Sequence, residues 1–114
     1  LFRSIAIGNS DDHFRNHGFL LTPRGWTLSP AYDMNPTLNE YQSLLINSST
    51  NESNLQILFG SCEEYMISKE EARIIINEVI AGVHKWHSIA VSLGIAKREI
   101  DMFYQVFSKT ILNL

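Results

Sequence analysis

Apolar residues in the second half of the chain recur at spacings of three and four. Between Ala72 and Leu93 this period is unbroken, so the pattern predicts one long amphipathic helix. Ser68 and Glu71 precede it with the spacing of a capping box, in which each side chain satisfies an amide at the helix start. Gly94 follows it with the residue type that favours the left-handed position after a last turn.

Two further helices are predicted on either side of this one. The first covers about 54–66, with Ser53 or Asn54 as its N-cap. The last covers about 96–112, and its apolar face carries Ile100, Phe103, Phe107 and Ile111.

The first half of the chain has shorter elements. Residues 1–7 indicate the end of an apolar helix or a short strand, stopped at Gly8. Residues 18–22 and 26–28 have the pattern of a β-hairpin, with Pro23-Arg24-Gly25 as a three-residue turn. From 34 to 53 the chain is rich in Asn, Ser and Thr and predicts exposed loop, with a short strand over Gln42–Ile46 as the one candidate element. The fold class expected is mainly α with a small β-hairpin.

Composition narrows the functional classes. A net charge of −3 and scattered basic residues argue against a nucleic-acid surface. The single Cys62 allows no internal disulfide, which fits a reducing compartment, and no apolar run reaches the roughly 20 residues of a membrane helix. These features predict a cytoplasmic protein without membrane contact. The first residue is Leu and the candidate chemistry begins by residue 9, so we expect a fragment of a longer protein.

Three polar residues in the first third of the chain have the spacing of a phosphotransferase site. Asp11 and Asn16 are five residues apart, as are the Asp and Asn of a protein-kinase catalytic loop. Asp33 follows 17 residues after Asn16, and a hairpin between them would bring it back beside Asn16. An Asn, an Asp and phosphate oxygens suffice to hold magnesium, which prefers hard oxygen ligands.

The residues around this trio make the pattern more specific. His13 stands where protein kinases commonly have Lys. A His at this position is closer to the loops of phosphoinositide kinases and atypical bacterial kinases. It could bind the transferring phosphate or brace the loop. The segments 7–20 and 26–34 together resemble the C-terminal region of HipA-type serine/threonine kinases, the toxins of bacterial toxin–antitoxin pairs. That family has the loop Gly-Asn-x-Asp-x-His-x-x-Asn and a metal aspartate after Leu-x-Pro-x-Tyr. The match is close over residues 1–36, and the helices over 53–114 are similar in layout to the last helices of that family.

The resemblance implies a role for each matched residue. Asp11 would be the catalytic base with His13 beside it, and Asn16 and Asp33 would bind Mg²⁺ and, through it, ATP. Residues 1–114 would form one domain, part of the C-terminal lobe of a protein-kinase-like fold. The glycine loop and the lysine that clamp ATP would lie in an N-terminal kinase region outside this sequence, so the fragment alone is expected to have little activity. A DNA-binding antitoxin would be the partner, and a protein such as glutamyl-tRNA synthetase the substrate.

Other functions compete with this interpretation. A kinase-derived lobe can lose catalysis and serve as a regulatory binding module, and small-molecule kinases of the aminoglycoside or phosphoinositide type share the Asp-to-Asn spacing. A divalent-metal hydrolase could use Asp11, Asp12, His13 and Asp33 as direct ligands, although a second His/Asp cluster is missing.

Several other residues have simpler explanations than chemistry. His84 and His87 are three apart, but a solvent-facing helix surface accounts for them better than a metal site. Trp86 recurs with other aromatics at helical spacing, as core residues do, and Cys62 is expected to be a small buried apolar residue. Arg15 is a candidate for contact with phosphate or Asp33, and equally for an exposed surface residue.

Overall fold

The computed structural model describes residues 1–111, and it confirms a mostly helical chain with one antiparallel β-hairpin. The elements are α1 (Phe2–Ile7), β1 (Phe19–Thr22), β2 (Gly25–Leu28), α2 (Leu55–Gly60), α3 (Lys69–Val83), α4 (Trp86–Ser92) and α5 (Lys97–Ile111). Two short 3-10 helices cover Phe14–Asn16 and Cys62–Tyr65. The predicted end of the last helix at residue 112, and the side chain of Ile111, lie outside the described part of the chain.

Helix α1 lies at the centre of the packing. Its Ile5 and Ala6 are almost fully buried, and they pack with Ile46, Leu55 and Leu58 in the main apolar cluster. The helix contacts α2, α3 and α5. The segment that follows α1 therefore starts from a helix that is buried in the main apolar cluster.

The hairpin is confirmed, but its turn is one residue shorter than predicted. Thr22 pairs with Gly25, which leaves only Pro23 and Arg24 unpaired. Gly25 has a φ of 106°, which glycine adopts without strain, and the Thr22 hydroxyl donates to its carbonyl at 2.9 Å. Because these bonds extend the ladder by one pair, Gly25 belongs to β2 rather than to the turn.

The predicted strand over Gln42–Ile46 is wrong. No residue from 42 to 46 lies in a strand, and a single antiparallel bridge between Tyr41 and Glu52 precedes them. Beyond it the side chain of Asn47 accepts from the backbone N–H groups of Ser49 and Thr50, at 2.8 and 3.0 Å. Such local side-chain bonds close a turn and compete with a strand ladder, so the apolar Ile46 is buried without being in a strand.

The first predicted helix of the second half ends early. Asn54 caps α2, with its side-chain oxygen accepting from the Gln56 N–H at 2.8 Å, but α2 stops at Gly60 instead of Met66. The Ser61 hydroxyl donates back to the Ile57 carbonyl at 2.9 Å, and the chain continues as a 3-10 turn. Local serine bonding thus divides one predicted helix into two short pieces.

The long helix is also divided, into α3 and α4. Near its end the Lys85 N–H donates to Gly82, three residues back, instead of four. Gly82 weakens the helix at this point, because glycine has a low helix propensity. Just beyond it, Trp86 packs against Phe107 of α5 with ring centroids 4.7 Å apart. This packing joins α4 to α5. Gly94 has the left-handed φ of 72° that the sequence predicted.

The structure agrees with the structural roles predicted for Trp86, Cys62, His84 and His87. Trp86 and Phe107 pack as structural aromatics, Cys62 is fully buried, and His84 and His87 are both exposed. None of the helices within residues 1–111 has both the length and the apolarity needed to cross a bilayer.

The capping box at the start of α3 is confirmed and gives a pH-dependent prediction. The Glu71 carboxylate accepts from the Ser68 N–H at 2.8 Å. This backbone bond has the larger effect, and together with the bond from the Ser68 side chain it holds the pKa of Glu71 below its ordinary value. A carboxyl whose pKa is lowered by folding stabilises the native state above its unfolded pKa, and loses that contribution as pH falls through the folded value.

We therefore expect Glu71→Ala to unfold at lower urea concentration than Glu70→Ala at pH 7, because Glu70 lies in the same first turn outside the box. The difference should shrink as the pH is lowered from 5 to 3. A difference that is constant over that range would contradict the role of the charged Glu71.

Candidate active site

The candidate chemistry lies in a loop that leaves α1 and runs over residues 9–17, called here the acidic loop. Gly8 ends α1 with a φ of 72°, and a Cβ at this position would lie 2.7 Å from Val106 Cγ1 and 2.8 Å from the Thr37 carbonyl oxygen. Only glycine fits such a junction without displacement of its neighbours. The loop is thus fixed at its start by α1, α5 and residue 37.

Asp11 is the exposed carboxylate of the acidic loop. Two thirds of its side chain (66%) is accessible to solvent. Its Oδ1 accepts from the Ser43 hydroxyl at 3.2 Å, while His13 Nε2 lies 3.7 Å from its Oδ2, beyond hydrogen-bonding distance. A substrate can reach Asp11, as a catalytic base requires.

Asn16 is held in a way that leaves its amide oxygen for a ligand. It ends the 3-10 turn Phe14–Asn16, and its Nδ2 donates to the Asp11 carbonyl at 3.1 Å. The backbone N–H of Asn16 donates to the His13 carbonyl at 2.9 Å. The Nδ1 of His13 is buried, and within residues 1–111 it has no hydrogen-bond partner.

Asp12, next to Asp11, is turned inward and has a structural environment. It is 3% exposed, and its Oδ1 lies 2.6 Å from His17 Nε2. Burial raises the pKa of Asp12, while a hydrogen bond from Ser4 and the interaction with His17 lower it. Asp12 thus joins the loop to α1, a role that the sequence pattern did not reveal.

Asp33 lies in a second segment, residues 32–36, called here the tethered segment. Its φ of 53° is left-handed, and its Oδ1 accepts from Asn35 Nδ2 at 2.7 Å. Its carboxylate makes no hydrogen bond to Asp11 or Asn16 within the described residues. The side chain is exposed and therefore accessible to a ligand.

Two tethers attach this segment to the acidic loop, one on each side of Asp33. The Tyr32 hydroxyl donates to the Arg15 carbonyl at 3.0 Å. On the other side, the buried Asn9 accepts from the Asn35 N–H at 3.3 Å, and Asn9 and Pro36 form an isolated bridge. The hairpin thus returns the chain to the loop, although the loop contacts are made by the neighbours of Asp33. Asn9 belongs to the loop motif, but the sequence did not predict its clamping role.

The ligands proposed for a metal hydrolase do not converge in the structure. Asp12 engages Ser4 and His17, so the hydrolase alternative lacks the converging ligand set it requires. No three His, Cys, Asp or Glu side chains within the described chain are placed to hold one metal ion. Arg15 is exposed and has no ion pair among residues 1–111, which fits its interpretation as a surface residue.

One cavity lies beside the acidic loop, and a second lies next to the end of α1. The first, of about 40 Å³, room for about one water, is lined by Asp12, Asn16 and Tyr32 among others, so the loop and the tethered segment share its wall. A larger cavity of about 320 Å³ lies between residues 37–41, 52–55 and Val106. Neither is lined by Asp11 or Asp33.

Comparison with known proteins identifies the family. The model of the HipA-like C-terminal domain matches residues 1–87, which include the acidic loop, the hairpin, the tethered segment and all of α3. No curated protein and no solved structure gave a significant match. Since the match spans well over half of the 114 residues, the chain belongs to the HipA-like C-terminal domain family.

Proposed function

We propose that this chain is the C-terminal lobe portion of a HipA-like serine/threonine kinase, which transfers the γ-phosphoryl group of ATP to a protein hydroxyl. The observation that carries the proposal is the pair of tethers flanking Asp33. They attach the segment that contains Asp33 to the loop that carries Asp11 and Asn16. Asp33 itself has a left-handed φ of 53°, which is uncommon for residues other than glycine, although Asp adopts it more readily than most.

In this proposal Asp11 orients the attacking hydroxyl and accepts its proton. Its carboxylate is exposed, and one oxygen remains for the substrate while Ser43 binds the other. His13 stands next to it, where it braces the loop or contacts the transferring phosphate. Phosphoryl transfer depends mainly on positioning and on stabilisation of charge, so a loop that is fixed at Gly8 and bound by Tyr32 at Arg15 suits it.

The residues proposed for magnesium have suitable chemistry. The amide oxygen of Asn16 and a carboxylate oxygen of Asp33 are hard donors of the kind that Mg²⁺ prefers. Magnesium would neutralise the negative charge on the phosphates of ATP. The protein residues would hold the ion and orient the nucleotide.

We also propose that the rest of the nucleotide site comes from an N-terminal kinase region of the parent protein. The strand register places four large apolar side chains on one face of the hairpin, each more than half exposed: Phe19, Leu21, Trp26 and Leu28. A two-stranded hairpin is marginally stable alone, and an exposed apolar patch marks a contact surface. This face is where the N-terminal region would pack. The parent would act in the cytoplasm in growth regulation, with a DNA-binding antitoxin as partner.

Magnesium-dependent nucleotide binding tests the proposed ligands. In the parent protein, Asn16→Ala and Asp33→Ala should each weaken ATP binding in the presence of Mg²⁺ by at least about tenfold. The exposed Asn77→Ala and Asp101→Ala are matched controls and should bind as the wild type does. Isothermal titration measures all five proteins, and equal affinities throughout would refute the assignment of Asn16 and Asp33.

Residues 1–114 alone should show no ATP binding in the same titration, because no clamping glycine loop or lysine is present in them.

Assays of the parent with protein and with aminoglycoside or phosphoinositide substrates separate the kinase classes. Phosphorylation of the small molecules alone would overturn the protein-kinase assignment.

A further inference from the structure

We propose that Ser43 is a positioning residue for Asp11, which rests on the proposed kinase function and adds to it a residue outside the matched motifs. Ser43 lies 32 residues after Asp11, in the irregular segment that follows the tethered segment. The hydrogen bonds of this serine place it against the backbone and the side chain of the acidic loop.

Three polar contacts join Ser43 to two consecutive residues. Its backbone N–H donates to the Ser10 carbonyl at 2.9 Å, which fixes the position of the serine. Its hydroxyl lies 3.1 Å from the same carbonyl and 3.2 Å from Asp11 Oδ1. A hydroxyl has one proton to donate, so the two oxygens compete for it, and the charged carboxylate is the stronger acceptor.

The neighbouring residues of this segment brace the loop but do not touch its carboxylate. Thr37 bonds to the Gly8 carbonyl and to the Ser10 hydroxyl, and Asn39 donates to the Ser10 hydroxyl at 3.0 Å. Within residues 1–111, Ser43 makes the only hydrogen bond observed to the carboxylate of Asp11. Thr37 and Asn39 thus support the start of the acidic loop, while Ser43 contacts the side chain of Asp11.

This contact has a chemical consequence for the base. Asp11 is exposed, so without a donor its carboxylate can rotate among several orientations in solvent. A bond to Oδ1 restricts that rotation and leaves Oδ2 to accept the proton of the substrate hydroxyl. When the proton reaches Oδ2, the Ser43 hydroxyl can keep its bond to Oδ1 or move to the Ser10 carbonyl, so no group is left without a partner.

The test uses the parent kinase and separates turnover from binding. Ser43→Ala should lower kcat by about tenfold, a loss of orientation rather than of the base itself, while KM for ATP stays within about twofold. Ser43→Thr keeps the hydroxyl and should recover kcat to within about threefold of wild type. Ser49→Ala is the matched control, because Ser49 is exposed and its hydroxyl makes no observed hydrogen bond in the described chain.

The outcomes distinguish this proposal from the proposed function. An active wild type with unchanged kcat in Ser43→Ala would overturn the positioning role and leave the kinase assignment intact. Phosphate on Ser43, detected by mass spectrometry, would overturn it as well, since the hydroxyl would then be an acceptor. A wild-type parent without phosphotransfer, tested with the protein and small-molecule substrates, would overturn both. An equal loss in Ser43→Ala and Ser43→Thr would show a packing effect and also contradict the proposal.

Discussion

Asp11→Asn should reduce phosphoryl transfer by the proposed parent kinase by about 10² to 10⁴, the range expected for removal of a general base. Asparagine has almost the same shape as aspartate, and its oxygen can still accept from the Ser43 hydroxyl, which lies 3.2 Å from Asp11 Oδ1. It cannot take a proton from the attacking hydroxyl. The loss should therefore appear in kcat, measured by transfer of labelled γ-phosphate to protein.

The fold and the nucleotide site should survive this change. Asp11 is two-thirds exposed, and the backbone of the acidic loop is held by other residues, so melting temperature and ATP affinity should stay close to wild type. Asp101→Asn, at an exposed position on α5, controls for the loss of one negative charge. If Asp11→Asn retained more than about a tenth of wild-type kcat, Asp11 would not be the base.

The same assay addresses the alternative that the parent is an inert regulatory module. An inert module would show no transfer with wild-type protein, and its Asp11→Asn variant would be indistinguishable from it. Transfer by the wild type that falls in Asp11→Asn would exclude the inert module.

Elements with local causes could be predicted from the sequence. The capping box of Ser68 and Glu71, the cap at Asn54 and the left-handed Gly94 all appear as expected. Each depends on residues within four positions, so the sequence contains the complete interaction. The positions of Asp11 and Asn16 in one loop could be predicted for the same reason.

Features with tertiary causes could not be predicted in this way. The break between α3 and α4 involves Trp86 packing on Phe107, 21 residues away. The bond between Ser43 and Asp11 spans 32 residues across irregular structure, where no periodicity relates the two positions. The inward orientation of Asp12 depends on Ser4 and His17, and an Asp-Asp pair does not indicate which carboxylate is exposed.

Gly8→Ala should give the largest loss of stability among the glycine substitutions in the described chain. The left-handed φ of 72° costs about 1–2 kcal/mol for a residue with a Cβ. The new methyl group would also lie 2.7 Å from Val106 and 2.8 Å from the backbone oxygen of Thr37, and overpacking of this kind costs a further 1–3 kcal/mol or so. A total of about 2–5 kcal/mol corresponds to a fall in Tm of roughly 10–25 °C.

Gly94→Ala is the matched control, because Gly94 has the same φ of 72° but no atom within 4 Å of the point that a Cβ would occupy. It should carry the conformational cost alone, about 1–2 kcal/mol, and lower Tm by roughly 5–10 °C. Thermal unfolding followed by circular dichroism compares the two variants directly. A similar fall in both would mean that backbone strain dominates and that the contact between α1, α5 and residue 37 contributes little. A much larger fall at Gly8 would show that the contacts of a Cβ with Thr37 and Val106, in addition to the backbone conformation, require glycine at the start of the acidic loop.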